Sequence, residues 1–258
     1  MFANLLAAKG AIVGAWFILF FVGERLVRSA PAPNSPARLY RNIGLWLLTV
    51  VFSVGVIAPM TAWGANHAIW QRPSWLMSGG SGAVTLVLDL ILLDCWVYWL
   101  HRAYHLVPAM WRLHDIHHRD EFLDTTSAVR FHVGEVAVSS ILRLMLIAVL
   151  AIPLMTVILF EIILLCVSIF QHSNLKLPPV VERAMSRIIV TPSIHWIHHH
   201  AHHRDTNSNF ASTLSVWDRL FHSRSATKRT PEMKIGIQGV EDRGFFELVL
   251  LPFRRTKS

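Results

Sequence analysis

Charge is scarce in this 258-residue chain: only 16% of residues are charged, while 53% are hydrophobic. That balance does not suit a soluble globule and points to a membrane protein. Acidic side chains are scarcer still, 16 against 24 basic ones, for a formal net charge of +8. Nucleic-acid binding would gather the basic residues with aromatics on a polar face. Here the arginines flank apolar runs, which fits the positive-inside rule and contact with anionic lipid headgroups. The two cysteines, Cys95 and Cys166, both lie in apolar runs, which excludes a CxxC redox pair, a zinc ribbon or a disulfide framework and leaves them as packing residues. There is no Gly-rich phosphate loop and no GxSxG elbow, nor any internal repeat or long low-complexity segment. The amino terminus lacks a basic region ahead of its apolar run and lacks a small-residue cleavage site, so it reads as a retained span and not as a cleaved leader.

Long apolar runs are what the chain has instead. A helix needs about 20 apolar residues to cross the hydrocarbon core. Residues 8 to 23 with their flanks, 43 to 65, and 83 to about 100 meet that need. Arg25, Arg28, Arg38 and Arg41 surround Pro31, Pro33 and Pro36 in the first connection, which places that loop in the cytoplasm. The linker from His67 to Gly82, with Pro73 and a Gly79-Gly80-Ser81-Gly82 turn, carries one arginine and belongs outside. The apolar stretch from Val136 to Phe170 is interrupted by Pro153, a helix breaker, and reads either as one bent helix or as a hairpin. Only a hairpin returns the residues on both sides of it to one membrane face. Arg143 inside it must then snorkel or pair with Glu135 or Glu161. Beyond His172 the chain is soluble in character and ends in the basic tail Arg254-Arg255-Thr256-Lys257.

Fifteen histidines are the other abundance, and eight fall in three tight groups: His101 and His105; His114, His117 and His118; His195, His198 and His199. Neutral imidazole is the commonest transition-metal ligand, and residues three or four apart on a helix share a face. At about 100° per residue, each HxxHH group spreads its rings over an arc of roughly 100°, enough for two metals to share one helix face. The absence of acidic ligands argues against magnesium or calcium. An all-histidine cage leaves a metal pair highly positive and able to bind anionic oxygen species. His172, after Gln171 at the end of the hairpin, is placed to complete the cage. His132 reads equally as ligand, supporting group or structural histidine. His202 returns to the face of His195 if the helix continues, though with His200 and His203 it reads better as solvated or supporting. His67 and His222 read as structural. Asp94 and Tyr98 lie on the stripe of His101 and His105, deeper in the membrane. This carboxylate either orients a ligand histidine or caps a buried polar network with Tyr98 and Arg102.

These groups resemble those of the fatty acid hydroxylase and sterol desaturase superfamily. The segment from Asp94 through Tyr98 to His101-Arg102 resembles the family's aspartate, aromatic and His-Arg segment. Gln171-His172-Ser173-Asn174-Leu175-Lys176-Leu177-Pro178 resembles its QHxNxxLP segment, and Thr191-Pro192 precedes the last HxxHH as in the family. Asn207-Ser208-Asn209-Phe210 and the run from Leu214 through Trp217-Asp218 to Phe221 resemble its tail motifs. The chain departs from the family pattern at Val133-Gly134, where a proline is usual, at Ala211, where glycine is, and at His222-Ser223, in place of Gly-Thr.

The resemblance implies an all-α membrane bundle with a cytoplasmic helical cap that carries a histidine-rich dimetal site. It implies two iron ions held by His101, His105, His114, His117, His118, His172, His195, His198 and His199, with His132 and His202 as further candidates. Asp94, Tyr98, Asn209 and Asp218 are the expected supporting residues. The implied reaction uses dioxygen to hydroxylate or desaturate an unactivated C–H position of a lipid. Electrons come from a separate reductase, ferredoxin or cytochrome-type donor. The expected organisation is N-terminal membrane helices over 1-82, a catalytic domain over 83-222 with its hairpin at 134-171, and a cytoplasmic tail over 223-258. The competing reading from histidine density alone is a membrane metal transporter or sensor.

Overall fold

The computed structural model describes residues 2–254; Arg255, Thr256 and Lys257 of the basic tail lie outside them. The described residues are helical, with four isolated β-bridges and no strand. The first part of the chain supplies α1 (Phe2–Leu26), α2 (Pro36–Phe52), α3 (Ala58–Asn66) and α4 (Gly79–Leu106). Next come α5 (Pro108–His118), α6 (Val133–Leu150) and α7 (Leu154–His172). The remainder holds the short helices α8 (Pro179–Met185), α9 (Pro192–His198), α10 (His203–Thr206), α11 (Val216–Leu220) and α12 (Phe245–Leu250).

Among the described residues, five segments are long and apolar enough to cross a membrane: Ala3–Leu26, Pro36–Asn66, Gly82–Leu106, Val133–Leu150 and Leu154–His172. The second joins α2 to α3 through a π-helical stretch, Ser53–Ile57. Pro59 lies in the first turn of α3 and brings no N–H to the helical ladder, so the wider turn absorbs the interruption. The Gly79-Gly80-Ser81-Gly82 segment, expected as a turn, is the first turn of α4. Only Gly79, at φ +56°, takes the left-handed backbone there, where glycine meets no steric penalty.

Pro153 divides a hairpin, not a bent helix. The chain leaves α6 through Ala151 at φ +52° and re-enters helix with Pro153 as the N-cap of α7. Arg143 settles on Glu161, at 2.6 Å, and Lys9 of α1 reaches the same carboxylate at 2.5 Å. One acid thus pairs with two cations within the spanning region, which offsets part of the cost of holding charge in hydrocarbon. Glu161→Leu strands both cations and destabilises the chain by roughly 3–5 kcal/mol. The corresponding fall in thermal midpoint is read in nanodiscs, and adding Arg143→Leu recovers part of it.

The bundle core lies between α4, α6 and α7, where Leu93, Ile147, Ile152, Val157 and Phe160 are buried together. α1 packs along α7, and α7 packs against α9. At the start of the second span, Arg38 in the first turn of α2 is buried, not a solvated loop arginine. Its guanidinium donates to Asp120 at 2.5 and 2.9 Å and to Asp124 at 2.7 Å. Asn42 links Asp120 to Arg130, and Arg130 donates to Asp242 at 2.6 Å. This buried network ties the segment after α5 to α2 and to the C-terminal region. α12 closes over it, with Leu248 packed on Leu45 and Ile116.

Candidate metal centre

All three histidine groups and His172 converge at one end of the bundle. α4 carries His101 and His105 out of the hydrocarbon, α5 presents His114, His117 and His118, α7 ends on His172, and α9 brings His195, His198 and, at its C-cap, His199. The nine rings sort into two sets, each with one ligand atom per residue and all such atoms within 4.8 Å of one another. One set is His101, His105, His114, His118 and His198; the other is His117, His172, His195 and His199. The sets touch where the His118 and His199 rings stack at 4.2 Å.

The tautomers are assigned by the acceptors behind the rings. The Nδ1 atoms of His117, His172, His198 and His101 donate to the carbonyls of Arg130 (3.0 Å), Ser168 (2.7 Å), Ser208 (2.6 Å) and Phe210 (2.8 Å). His114 Nδ1 donates to Glu135 Oε1 at 2.8 Å. With the proton on Nδ1, each Nε2 carries a lone pair, and these lone pairs point inward. His117 and His172 then face each other through Nε2 at 3.1 Å, two acceptors with no proton between them. His195 Nε2 lies 3.0 Å from His172 Nε2 and 3.1 Å from His199 Nε2. In the five-ring set, His114 Nε2, His198 Nε2 and both ring nitrogens of His105 and His118 are buried without a protein partner. Converging, unpartnered lone pairs are costly unless a cation fills the space. The donor set therefore fits a pair of metal ions of the kind that imidazole prefers.

Burial, reinforced by neighbouring imidazoles, holds His117, His118, His195 and His199 well below the usual histidine range and pushes His198 down to about 3. These rings are neutral at pH 7, the form that ligates. In the unfolded chain they titrate near 6.5. Their contribution to stability is thus fully present above about pH 6.5 and is lost as pH falls from there toward 3, because only the unfolded chain takes up protons. The chelator-treated protein loses thermal stability steadily below pH 6.5, and metal loading moves that loss to lower pH.

The other histidines stand apart. His132 caps α6 by accepting from Gly134 N and donates through Nε2 to Val249 O, so both its ring nitrogens are engaged elsewhere. His202 is exposed and lies beside His200, not over His195. His200 is held by Asp205 at 2.7 Å.

The expected supporting residues act on the loop behind the rings. Asp94 accepts from Trp217 Nε1 at 2.7 Å and from Leu214 N at 3.0 Å, and so neither touches a histidine nor joins Tyr98 and Arg102. Arg102 donates to Tyr98 Oη, which reaches Ser223 Oγ, which donates to Asp218. Asp218 also accepts from Ala211 N. Asn209, at φ +54°, turns the backbone between the Ser208 and Phe210 carbonyls that orient His198 and His101; asparagine is one of few residues that takes this conformation readily. Ala211 is buried in the cluster of Tyr98, Phe210 and Trp217. His222 holds φ +54°, a backbone that explains why glycine suits that position. The sequence reading offered Glu135 only as a partner for Arg143, whereas its carboxylate supports His114.

The fatty acid hydroxylase profile matches residues 86–223. The chain belongs to the fatty acid hydroxylase family. The matched region holds all nine converging histidines. Among similar proteins, the ornithine lipid hydroxylase OlsE of Rhizobium tropici is 26% identical over 189 residues, 73% of this chain and 55% of that protein. Alkylglycerol monooxygenase of Danio rerio is 29% identical over 155 residues, 59% of this chain and 33% of that protein. Cholesterol 25-hydroxylase of Rattus norvegicus is 22% identical over 204 residues, 76% and 65%. The chain thus spans between a third and two thirds of the length of these fatty acid hydroxylase relatives. No solved structure matches it. Membership of the family and the histidine cluster together fit an iron-dependent oxygenase.

Proposed function

We propose that this chain is a membrane-embedded di-iron oxidoreductase that uses dioxygen to hydroxylate or desaturate an unactivated C–H position of a lipid. The observation that carries the reading is the convergence of nine imidazoles into two sets at the end of the spanning helices. His101, His105, His114, His118 and His198 would hold one iron, and His117, His172, His195 and His199 the other. When bound, the iron pair supplies reductive activation of dioxygen and abstraction of hydrogen from carbon.

The chain's own residues position and protect. The carbonyls of Arg130, Ser168, Ser208 and Phe210, with Glu135, hold the rings in one tautomer and one orientation, so little reorganisation is needed when charge changes at the centre. Seven of the nine histidine residues are buried, while His101 and His105 are half-buried. Beside them α4 ends in the exposed Leu106, followed by the exposed Val107. A bilayer-dissolved lipid would reach the centre from this apolar flank, with water kept from the remaining sides.

Arg25, Arg28, Arg38 and Arg41 sit at the same end of the bundle as the histidines, which supports a cytoplasmic site. The catalytic unit would run over 83-222, supported by the helices of 1-82 and closed by the tail of 223-258. A reductase, ferredoxin or cytochrome-type donor would deliver electrons there. A transporter reading is disfavoured, because the rings gather at one end of the bundle and do not line a path across it. Lipid mass spectrometry of cells with and without the protein, grown in air, tests the reading. A lipid that gains one oxygen or loses two hydrogens supports it; identical lipid profiles from an iron-loaded, expressed protein with its donor oppose it.

A further inference from the structure

A second polar site lies behind α9, away from the histidine nitrogens. Arg229 stacks its guanidinium 3.8 Å from the centre of the Trp196 ring. Its Nε and Nη2 are buried and have no hydrogen-bond partner. The Arg229 side chain also lines a cavity of about 120 Å³, together with Lys176, Ser29, Ser193 and Glu182. That volume is many times the ~10–15 Å³ one water needs, and it admits a tetrahedral oxyanion. Glu182, the carboxylate among the lining residues, already accepts from the Thr191 hydroxyl. Burial pulls the guanidinium down to about 9, with Glu182 acting against it, yet arginine keeps its proton in proteins. A half-buried guanidinium whose nitrogens lack a hydrogen-bond partner calls for an anion.

The position of the cavity says where that anion comes from. Ser29 follows α1 and Lys176 follows α7, and the two connections are tied by Ser29 N to Asn174 O and Lys176 N to Val27 O. The cavity therefore sits where two adjacent spans leave the hydrocarbon, at headgroup height. Exposed Leu26 and Val27 on one side and Val180 on the other flank it with apolar surface.

We propose that Arg229 and Lys176 bind a phosphate group in this cavity, at the rim of the bilayer. Arg229 offers its guanidinium charge to the phosphate oxygens, and Lys176 adds a mobile charge at the mouth. The site is separate from the metal centre and is read without turnover, so its failure would leave the oxygenase reading standing.

The full chain in detergent micelles is titrated with short-chain phosphatidylglycerol and, separately, with inorganic phosphate. Wild type is compared with Arg229→Gln and with Lys176→Gln, which changes an exposed side chain. The expected result is saturable binding that weakens at least about tenfold in Arg229→Gln and severalfold in Lys176→Gln. Tighter binding of the lipid than of the free ion identifies a headgroup as the ligand; equal binding identifies free phosphate; either supports the site. Wild-type affinity in Arg229→Gln overturns it. If that variant does not fold, wild-type affinity in Lys176→Gln overturns it instead.

Discussion

His198→Ala and His117→Ala each abolish lipid oxidation and each cost the chain one metal ion. The two residues belong to different sets, so the pair of variants tests both halves of the centre. His198 is the hub of the first set: its ring lies 4.7 Å from those of His101, His105 and His118. His117 faces His172 at 3.1 Å in the second set, where only four donors are available. Removing one of four donors leaves an incomplete cage, and a pair reduced to one ion cannot share the electron demand of the reaction. Bound iron should fall from about two per chain to about one, with turnover at background. Both alanine variants should still fold, because each leaves one carbonyl unpaired, at a cost of about 1–3 kcal/mol. Normal turnover with unchanged iron in either variant refutes the ligand assignment.

Glu135→Gln weakens the centre without touching a ligand. The carboxylate lies 2.8 Å from His114 Nδ1 and makes the opposite nitrogen a stronger donor to a metal. Glutamine retains an acceptor oxygen and nearly the same shape but removes the charge. Metal affinity or activity should fall by roughly 10- to 100-fold, and the first set should release its ion to a chelator ahead of the second. Glu121→Gln, an exposed carboxylate elsewhere on the cap, serves as the control and should behave as wild type. Equal metal retention by Glu135→Gln and wild type would leave Glu135 with only a packing role.

Much of the centre is legible in the sequence because helical spacing is a local property. HxxxH in α4 and HxxHH in α5 and α9 put their rings on shared faces, and the apolar runs place those faces at one end of a bundle. The sorting into two sets is a different matter. His117 and His118 are adjacent yet enter different sets, as do His198 and His199, because successive residues on a helix diverge by about 100°. Which neighbour each meets depends on how α4, α5, α7 and α9 cross, and no single segment encodes that.

The hairpin reading followed from requiring both HxxHH groups on one face, and one of the two acids named for Arg143 is its partner. The network from Arg38 through Asp120 and Arg130 to Asp242 was not legible. It joins residues some 200 positions apart, and Arg38 reads on its own as a topology signal. His132 shows the converse limit. Its position in the chain suits a ligand, but a helix start that needs a cap and a nearby carbonyl engage both its nitrogens.

The account rests on two ions held by histidine nitrogen alone. Iron quantification on the purified full-length chain, combined with X-ray absorption at the iron edge, tests this most directly. Two irons per chain with a nitrogen-dominated coordination shell is the predicted result. One iron or none in a preparation that oxidises lipid at full rate would contradict it.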